Sequence, residues 1–222
     1  MELGSFFPLY GDADGKHFEG WTTLAAMGSI TKNATIGCLV TCNSYRNPNL
    51  LADMARTLDH ITHGRAILGI GAGWFEKDYQ EYGYDFGASP GVRLKRLEEA
   101  LPIIRERLSH LNPLPVQEKL PILIGGGGEK VTLRLVATYA DMLNTFGPAE
   151  NFRHKNEILN NWCKEVGRNP EEIERTVIVN DVNDLDGLVE AGAAHIIPGI
   201  DAPWNTEPVE KLLAWRDQRK SR

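Results

Sequence analysis

Apolar residues along this chain alternate between two spacings. Residues 33–41 (NATIGCLVT) form a short β-branched run and residues 65–71 (RAILGIG) a second apolar run, both predicted as strands. Between them, from Pro48 to His60, Leu51, Met54, Ala55 and Leu58 recur at helical spacing. A glycine- and aromatic-rich loop follows the second strand. A helix is then predicted from Val92, with Leu94, Leu97, Leu101 and Ile104 on one stripe. Pro102 lies inside it, where a residue without an N–H should bend the helix or limit its regularity. Further on, residues 120–124 predict a strand, 129–139 a helix, 141–145 a strand and 151–166 a helix, which Gly167 and the turn Arg168-Asn169-Pro170 terminate. Residues 173–180 and 195–200 predict two more strands, with a short helical stretch over 185–191 between them, and 208–216 a closing helix.

Continuous apolar strands separated by helices imply a parallel sheet covered on its outside. Six strands are clear, with a possible remnant at residues 3–7. A closed eight-fold α/β barrel has two more strands and takes roughly 200–250 residues. At 222 residues the chain predicts an incomplete (β/α) barrel of this type, folded as a single domain over 1–222. Neither an internal repeat nor a low-complexity linker interrupts it.

Composition narrows the partners. The net charge is −6, and no basic cluster is interleaved with aromatics, which disfavours nucleic acid. No apolar stretch reaches the roughly 20 residues of a membrane span, and no signal peptide is visible, so a soluble cytoplasmic protein is expected. Cys38, Cys42 and Cys163 are an odd number in apolar or helical contexts, which suits buried thiols in a reducing compartment. Cys38 and Cys42 lie four apart, so they are not a CxxC redox pair, and packing accounts for them.

Two glycine segments carry candidate chemistry. Gly69-Ile70-Gly71-Ala72-Gly73-Trp74 follows a strand, as a dinucleotide fingerprint would, but Trp74 stands where G-x-G-x-x-G requires its third glycine. A tight turn leaving a buried strand explains these glycines equally well. Gly125, Gly126, Gly127 and Gly128 lie between the strand PILI and a helix predicted to open at Glu129. Bare backbone N–H groups at a helix start suit an anion, and phosphate binding is the favoured reading over a plain turn. His60 and His63 end a helix before Gly64, where polar side chains are commonplace, so no metal site is assigned. Asp12 and Asp14 resemble the opening of a calcium loop whose later ligands are absent, and read as a turn. No nucleophile elbow or Cys/His pair supports a hydrolase.

Several segments together resemble the luciferase-like monooxygenase family, particularly its F420-dependent branch. They are HFEGWTTL (17–24), GCLVTCNSYRNP (37–48), GRAILGIGAGWFEKDYQEYG (64–83), residues 122–145 with the glycine run and Ala140-Asp141, GRNPEEI (167–173) and residues 191–200. They keep the family's order and span most of the chain. The resemblance implies a (β/α)₈ barrel whose site lies at the carboxyl ends of the strands. It also implies a bound F420 or, alternatively, FMN. Leu39, Val40 and Thr41 would form a strained bulge against the ring, with Gly71, Ala72, Gly73 and Trp74 flanking it. Residues 125–128 would hold the cofactor phosphate, with Asn144 and Thr145 nearby. Tyr79 is a further candidate ring or substrate contact. The activity implied is hydride transfer between the cofactor and a small organic substrate, and the alternative is a degenerate flavin-binding protein without turnover.

The chain departs from the family's pattern in places. Gly4 and Ser5 fall where the resemblance expects an Asp-His pair, and serine cannot titrate near neutrality as imidazole does, so no catalytic residue is assigned. Trp74 replaces the acidic residue of some sugar-phosphate dehydrogenases. The link over 108–121 and the segment after Asn180 look shortened. A missing barrel strand leaves unpaired edges, and a second copy is expected to cover them in a homodimer.

Overall fold

The computed structural model describes residues 15–179, 182–200 and 205–220, the side chain of Lys220 excepted. They fall into two compact units that divide between Gly125 and Gly126. The Leu3–Phe7 remnant, Gly4, Ser5, Asp12 and Asp14 lie outside the described residues.

The N-terminal unit opens with a helix that the apolar pattern did not predict, α1 (Gly20–Ile30). Its start is fixed by Glu19, whose carboxylate accepts from the backbone N–H groups of Trp21 and Thr22 at 3.0 and 2.7 Å. The run predicted as one strand over 33–41 is divided into β1 (Ile36–Gly37) and β2 (Thr41–Cys42). Both pair in parallel with β3 (Ala66–Gly71), Ile36 against Ala66 and Thr41 against Ile70. Five steps along the first chain therefore oppose four along β3, which is the signature of a bulge. The peptide between Leu39 and Val40, inside that bulge, is cis.

Helix α2 (Pro48–Ile61) begins where Asn47 accepts from the Asn49 N–H at 2.9 Å, with proline in the first turn as its missing donor allows. A short helix, α3 (Glu76–Glu81), stands inside what the sequence predicts as loop. Helix α4 (Pro90–His110) continues through Pro102, because Leu97, Leu101, Ile104 and Leu108 are buried along its whole length and outweigh one lost backbone bond. The link that follows is short but tied down. Buried Asp59 of α2 accepts from the N–H groups of Val116 and Gln117 at 2.8 and 3.0 Å and from Gln117 Nε2 at 2.7 Å. That link delivers the chain to β4 (Ile122–Gly125), which pairs in parallel with β3, Leu68 against Ile122 and Ile70 against Ile124.

The C-terminal unit alternates helix and strand: α5 (Thr132–Tyr139), β5 (Met142–Phe146), α6 (Ala149–Val166), β6 (Glu174–Val179), α7 (Leu185–Glu190), β7 (His195–Pro198) and α8 (Glu207–Lys220). β6 lies between β5 and β7, parallel to both, with Asn144 opposite Thr176 and Val177 opposite Ile196. Phe152 of α6 is fully buried against Val177, Val179, Leu188 and Ala191, the apolar centre of this unit. Gly167 ends α6 in the left-handed conformation at φ +71°, as its position after the apolar stripe predicts. The helix predicted from Glu129 begins instead at Thr132, because residues 129–131 form a turn in which Glu129 and Lys130 are exposed. The six strand positions read from the sequence are all present among the described residues, the first of them split in two.

Candidate functional site

In the N-terminal unit Leu39 and Val40, in the bulge just before β2, come together with the carboxyl ends of β3 and β4. Half-buried Val40 lies across two bare strand ends. A Cβ at Gly71 would meet Val40 Cγ2 at 2.8 Å, and a Cβ at Gly125 would meet Val40 Cγ1 at 2.9 Å. Neither position tolerates a side chain while Val40 occupies that space. The bulge is what brings Val40 there, since it shifts one residue out of register with β3. Leu39 and Ala72 are half-buried beside it. Thr41 is buried, and its hydroxyl accepts from Trp21 Nε1 at 3.1 Å. Trp74 is 64% exposed, a large apolar surface at the end of the β3 turn.

Tyr79 occupies a different place from the one its neighbours in the sequence suggested. It is fully buried, and its hydroxyl lies 3.0 Å from Cys42 Sγ, packed beneath Gly73. Its ring meets Tyr45 and Phe86 edge-on at 5.2 and 4.9 Å, so it supports the turn from below. Tyr45 donates to Asp78 Oδ2 at 2.9 Å in the same layer. Arg93 of α4 closes the arrangement: its Nε donates to the Gly73 carbonyl at 2.9 Å, its Nη1 to the Phe86 carbonyl at 3.2 Å, and its guanidinium stacks 3.8 Å from the Phe86 ring. Burial pushes the Cys42 thiol and the Tyr79 hydroxyl up from their ordinary values, and Cys38 up to about 12. These thiols are protonated and inert at neutral pH, which is the opposite of an activated nucleophile. Asn43 Oδ1, one residue past β2, is buried with no hydrogen-bond partner among the described residues.

In the C-terminal unit the glycine turn is held by its neighbours. Gly126 has φ +123°, a conformation for glycine alone, and its N–H donates to the Asn144 carbonyl at 2.9 Å. Buried Asn144 turns its amide to Thr176 Oγ1 at 2.8 Å, so its side chain braces β5 against β6. A Cβ on Gly127 would stand 3.1 Å from the hydroxyl of buried Thr145 and 3.4 Å from Lys155 Cε. Lys155, only 16% exposed, donates to Glu129 Oε1 at 2.6 Å. His154 approaches the same oxygen at 3.2 Å, and Trp162 Nε1 donates to the Glu129 carbonyl at 2.7 Å. The hydrogen bond from Lys155 holds the Glu129 carboxyl below its ordinary range.

Sequence reasoning missed Lys155, Arg93 and Asn43. The polar run after the first strand was a usable signal for Asn43, whereas the other two are brought in by helices remote in sequence. The His60 ring bonds the Leu114 carbonyl at 2.8 Å, which accounts for it as a structural residue. Among the described residues no group of three or more His, Cys, Asp or Glu side chains is placed to hold a metal, and no helix is long and apolar enough to cross a membrane.

A family model described as luciferase-like monooxygenase matches residues 5–182. A phthiodiolone/phenolphthiodiolone dimycocerosates ketoreductase of Mycobacterium bovis is 30% identical over 180 residues, covering 71% of this chain and 45% of that protein. The chain spans about half the length of the curated relatives it matches. An F420-dependent secondary alcohol dehydrogenase, solved with an F420–acetone adduct, superposes with a TM-score of 0.77 at 18% identity over 88% of this chain and 82% of the other. The oxygenating component of 3,6-diketocamphane monooxygenase from Pseudomonas putida, solved with FMN, gives a TM-score of 0.58 at 18% identity over 73% of this chain and 53% of the other. At such identities the superpositions show the fold, an α/β architecture of the barrel type, of which the described residues hold the six strand positions read from the sequence.

Proposed function

This chain belongs to the luciferase-like monooxygenase family, and from that premise we propose that it is an oxidoreductase that uses F420 or, alternatively, FMN to act on a small organic substrate. The observation that carries the reading is the Val40 shelf. A bulged strand seats Val40 in the space that side chains at Gly71 and Gly125 would fill, so the two strand ends present Val40 itself as a half-buried aliphatic shelf for a flat ring. The residues present therefore fit a planar cofactor, and the exposed Trp74 extends the apolar surface. When bound, such a cofactor supplies hydride chemistry, which no side chain of this cluster could provide.

The chain's own contribution is positioning. Val40, Leu39 and Ala72 exclude water from one side of the ring. Arg93 and Tyr79 keep the Gly73–Trp74 turn in place, and Asn43 Oδ1 is a buried acceptor at the same strand end. In the C-terminal unit, the Gly126–Gly127 turn with Thr145 suits an anion such as a cofactor phosphate. An F420-dependent alcohol dehydrogenase and a ketoreductase among the similar proteins make carbonyl–alcohol interconversion the reaction class to try first.

A second reading is favoured by one specific observation: the shelf residues Val40, Ala72 and Trp74 carry no titratable group. A protein that holds the cofactor without turnover would look the same here. Anaerobic incubation of the chain with reduced F420 and a panel of aliphatic ketones separates the two, as does reduced FMN with oxygen. Catalysed cofactor oxidation that depends on the added substrate is the expected result. Tight binding of either cofactor with oxidation no faster than in buffer, across the panel, would establish the non-catalytic reading instead.

A further inference from the structure

Lys155 presents an oddity of charge placement. It projects from α6 toward the glycine turn, with Cε 3.4 Å from the space a Cβ on Gly127 would fill. Its side chain is 16% exposed, so most of its length is packed. Yet its ammonium group reaches past the turn to a carboxylate, Glu129 Oε1 at 2.6 Å, whose own side chain is 46% exposed. A largely enclosed cation ending on a solvent-facing carboxylate beside a bare backbone turn is costly to organise for surface stability, because exposed ion pairs contribute little.

We propose that Lys155 is the charge partner of the anion bound at the Gly126–Gly127 turn, and that Glu129 occupies it until the anion arrives. The inference rests on the cofactor reading above and deepens it by naming the residue that neutralises the phosphate. The groups it requires are already in place. Thr145 offers a buried hydroxyl 3.1 Å from the Gly127 Cβ position, and Gly126 holds the turn open at φ +123°. Trp162 holds the Glu129 backbone through its carbonyl at 2.7 Å, so the turn stays put when the Glu129 carboxylate leaves Lys155, and His154, 3.2 Å from the same oxygen, is its remaining partner. Binding is then an exchange of one oxyanion for another on the same ammonium group. No proton is transferred, and no bond other than hydrogen bonds is made or broken. The phosphate monoester of FMN, with a charge near −1.5 to −2 at neutral pH, out-competes a single carboxylate for the lysine, whereas the phosphodiester of F420 brings a single charge and a weaker advantage.

Flavin ligands with and without phosphate test this directly. Wild-type protein is titrated with F420, FMN and riboflavin by fluorescence, and with inorganic pyrophosphate by calorimetry. The exchange predicts that Lys155→Met weakens the phosphate-bearing cofactor roughly tenfold or more, as expected for losing a charge-assisted hydrogen bond, and leaves riboflavin unchanged. Glu129→Gln, which removes the competitor, should tighten the same cofactor, and Lys155→Arg should retain most of the affinity. Circular dichroism confirms that each variant is folded. Equal affinity of wild type and Lys155→Met for the phosphate-bearing cofactor overturns the inference and leaves the cofactor reading standing. Pyrophosphate bound through Lys155, with no flavin or F420 bound, overturns the cofactor reading and keeps the anion seat. A folded protein that binds none of the four probes overturns both.

Discussion

The two glycine segments read alike in the sequence, each a run of bare residues leaving a strand, yet the two units put them to different uses. In the N-terminal unit the glycines are crowded out by protein. A Cβ at Gly69 would lie 1.9 Å from the Cys38 carbonyl oxygen, and one at Gly71 would lie 2.8 Å from Val40. In the C-terminal unit the space beside Gly127 is bounded by the buried Thr145 hydroxyl at 3.1 Å and the stem of Lys155 at 3.4 Å, side-chain groups rather than backbone. One set of glycines makes room for the chain's own bulge, and the other lets a buried hydroxyl and a lysine stem come close to a backbone turn. Glycine in a strand end is thus evidence of close approach, and only the neighbours reveal what approaches.

Substitutions sharpen that contrast. The largest effect is expected at Gly69. Its replacement by alanine forces backbone against backbone and should destabilise the protein by about 3 kcal/mol, measured by denaturant unfolding. A loss under about 0.5 kcal/mol, the range of an ordinary surface change, would show that the bulge is not packed as described. Gly126→Ala comes next, because φ +123° is strained for any side chain although the nearest neighbour, Thr132 Cγ2, is a comfortable 3.5 Å away. The expected cost is about 1–3 kcal/mol, from backbone strain alone. Gly127→Ala should leave stability almost unchanged while weakening the phosphate-bearing cofactor several-fold. If stability falls as much as for Gly69, the two segments are doing the same job and the contrast collapses. Smallest of all is Trp74→Ala, which at 64% exposure should move stability by no more than about 0.5 kcal/mol. It should still alter the fluorescence of bound F420 or FMN, and an unchanged spectrum would remove Trp74 from the site.

Much of the fold was legible because helices carry local signals. The apolar spacing from Pro48 placed α2, and Gly167 the end of α6, each from signals that use only near neighbours. The strand over 33–41 was legible as apolar, but its division was not, since the bulge is a matter of register with β3. The start of α5 was placed three residues early because Glu129 is a good helix former whose backbone is instead claimed by Trp162. Tyr79 stands among loop aromatics that could line a pocket or pack on themselves, and its burial against Cys42, 37 residues away in sequence, is a tertiary fact that no local pattern carries. Lys155 escaped notice for the same reason, its partner Glu129 lying 26 residues earlier. The family's glycine positions could be read along the chain, whereas the charges and packing that give them a purpose are tertiary.

The central claim is that the chain holds a deazaflavin or flavin cofactor, and an equilibrium titration of purified wild-type protein with F420 and with FMN, followed by cofactor fluorescence, tests it most directly. Saturable binding of one of them, weakened by Gly127→Ala while the unfolding midpoint stays put, is the result expected. A folded protein that leaves the fluorescence of both cofactors unchanged would contradict it.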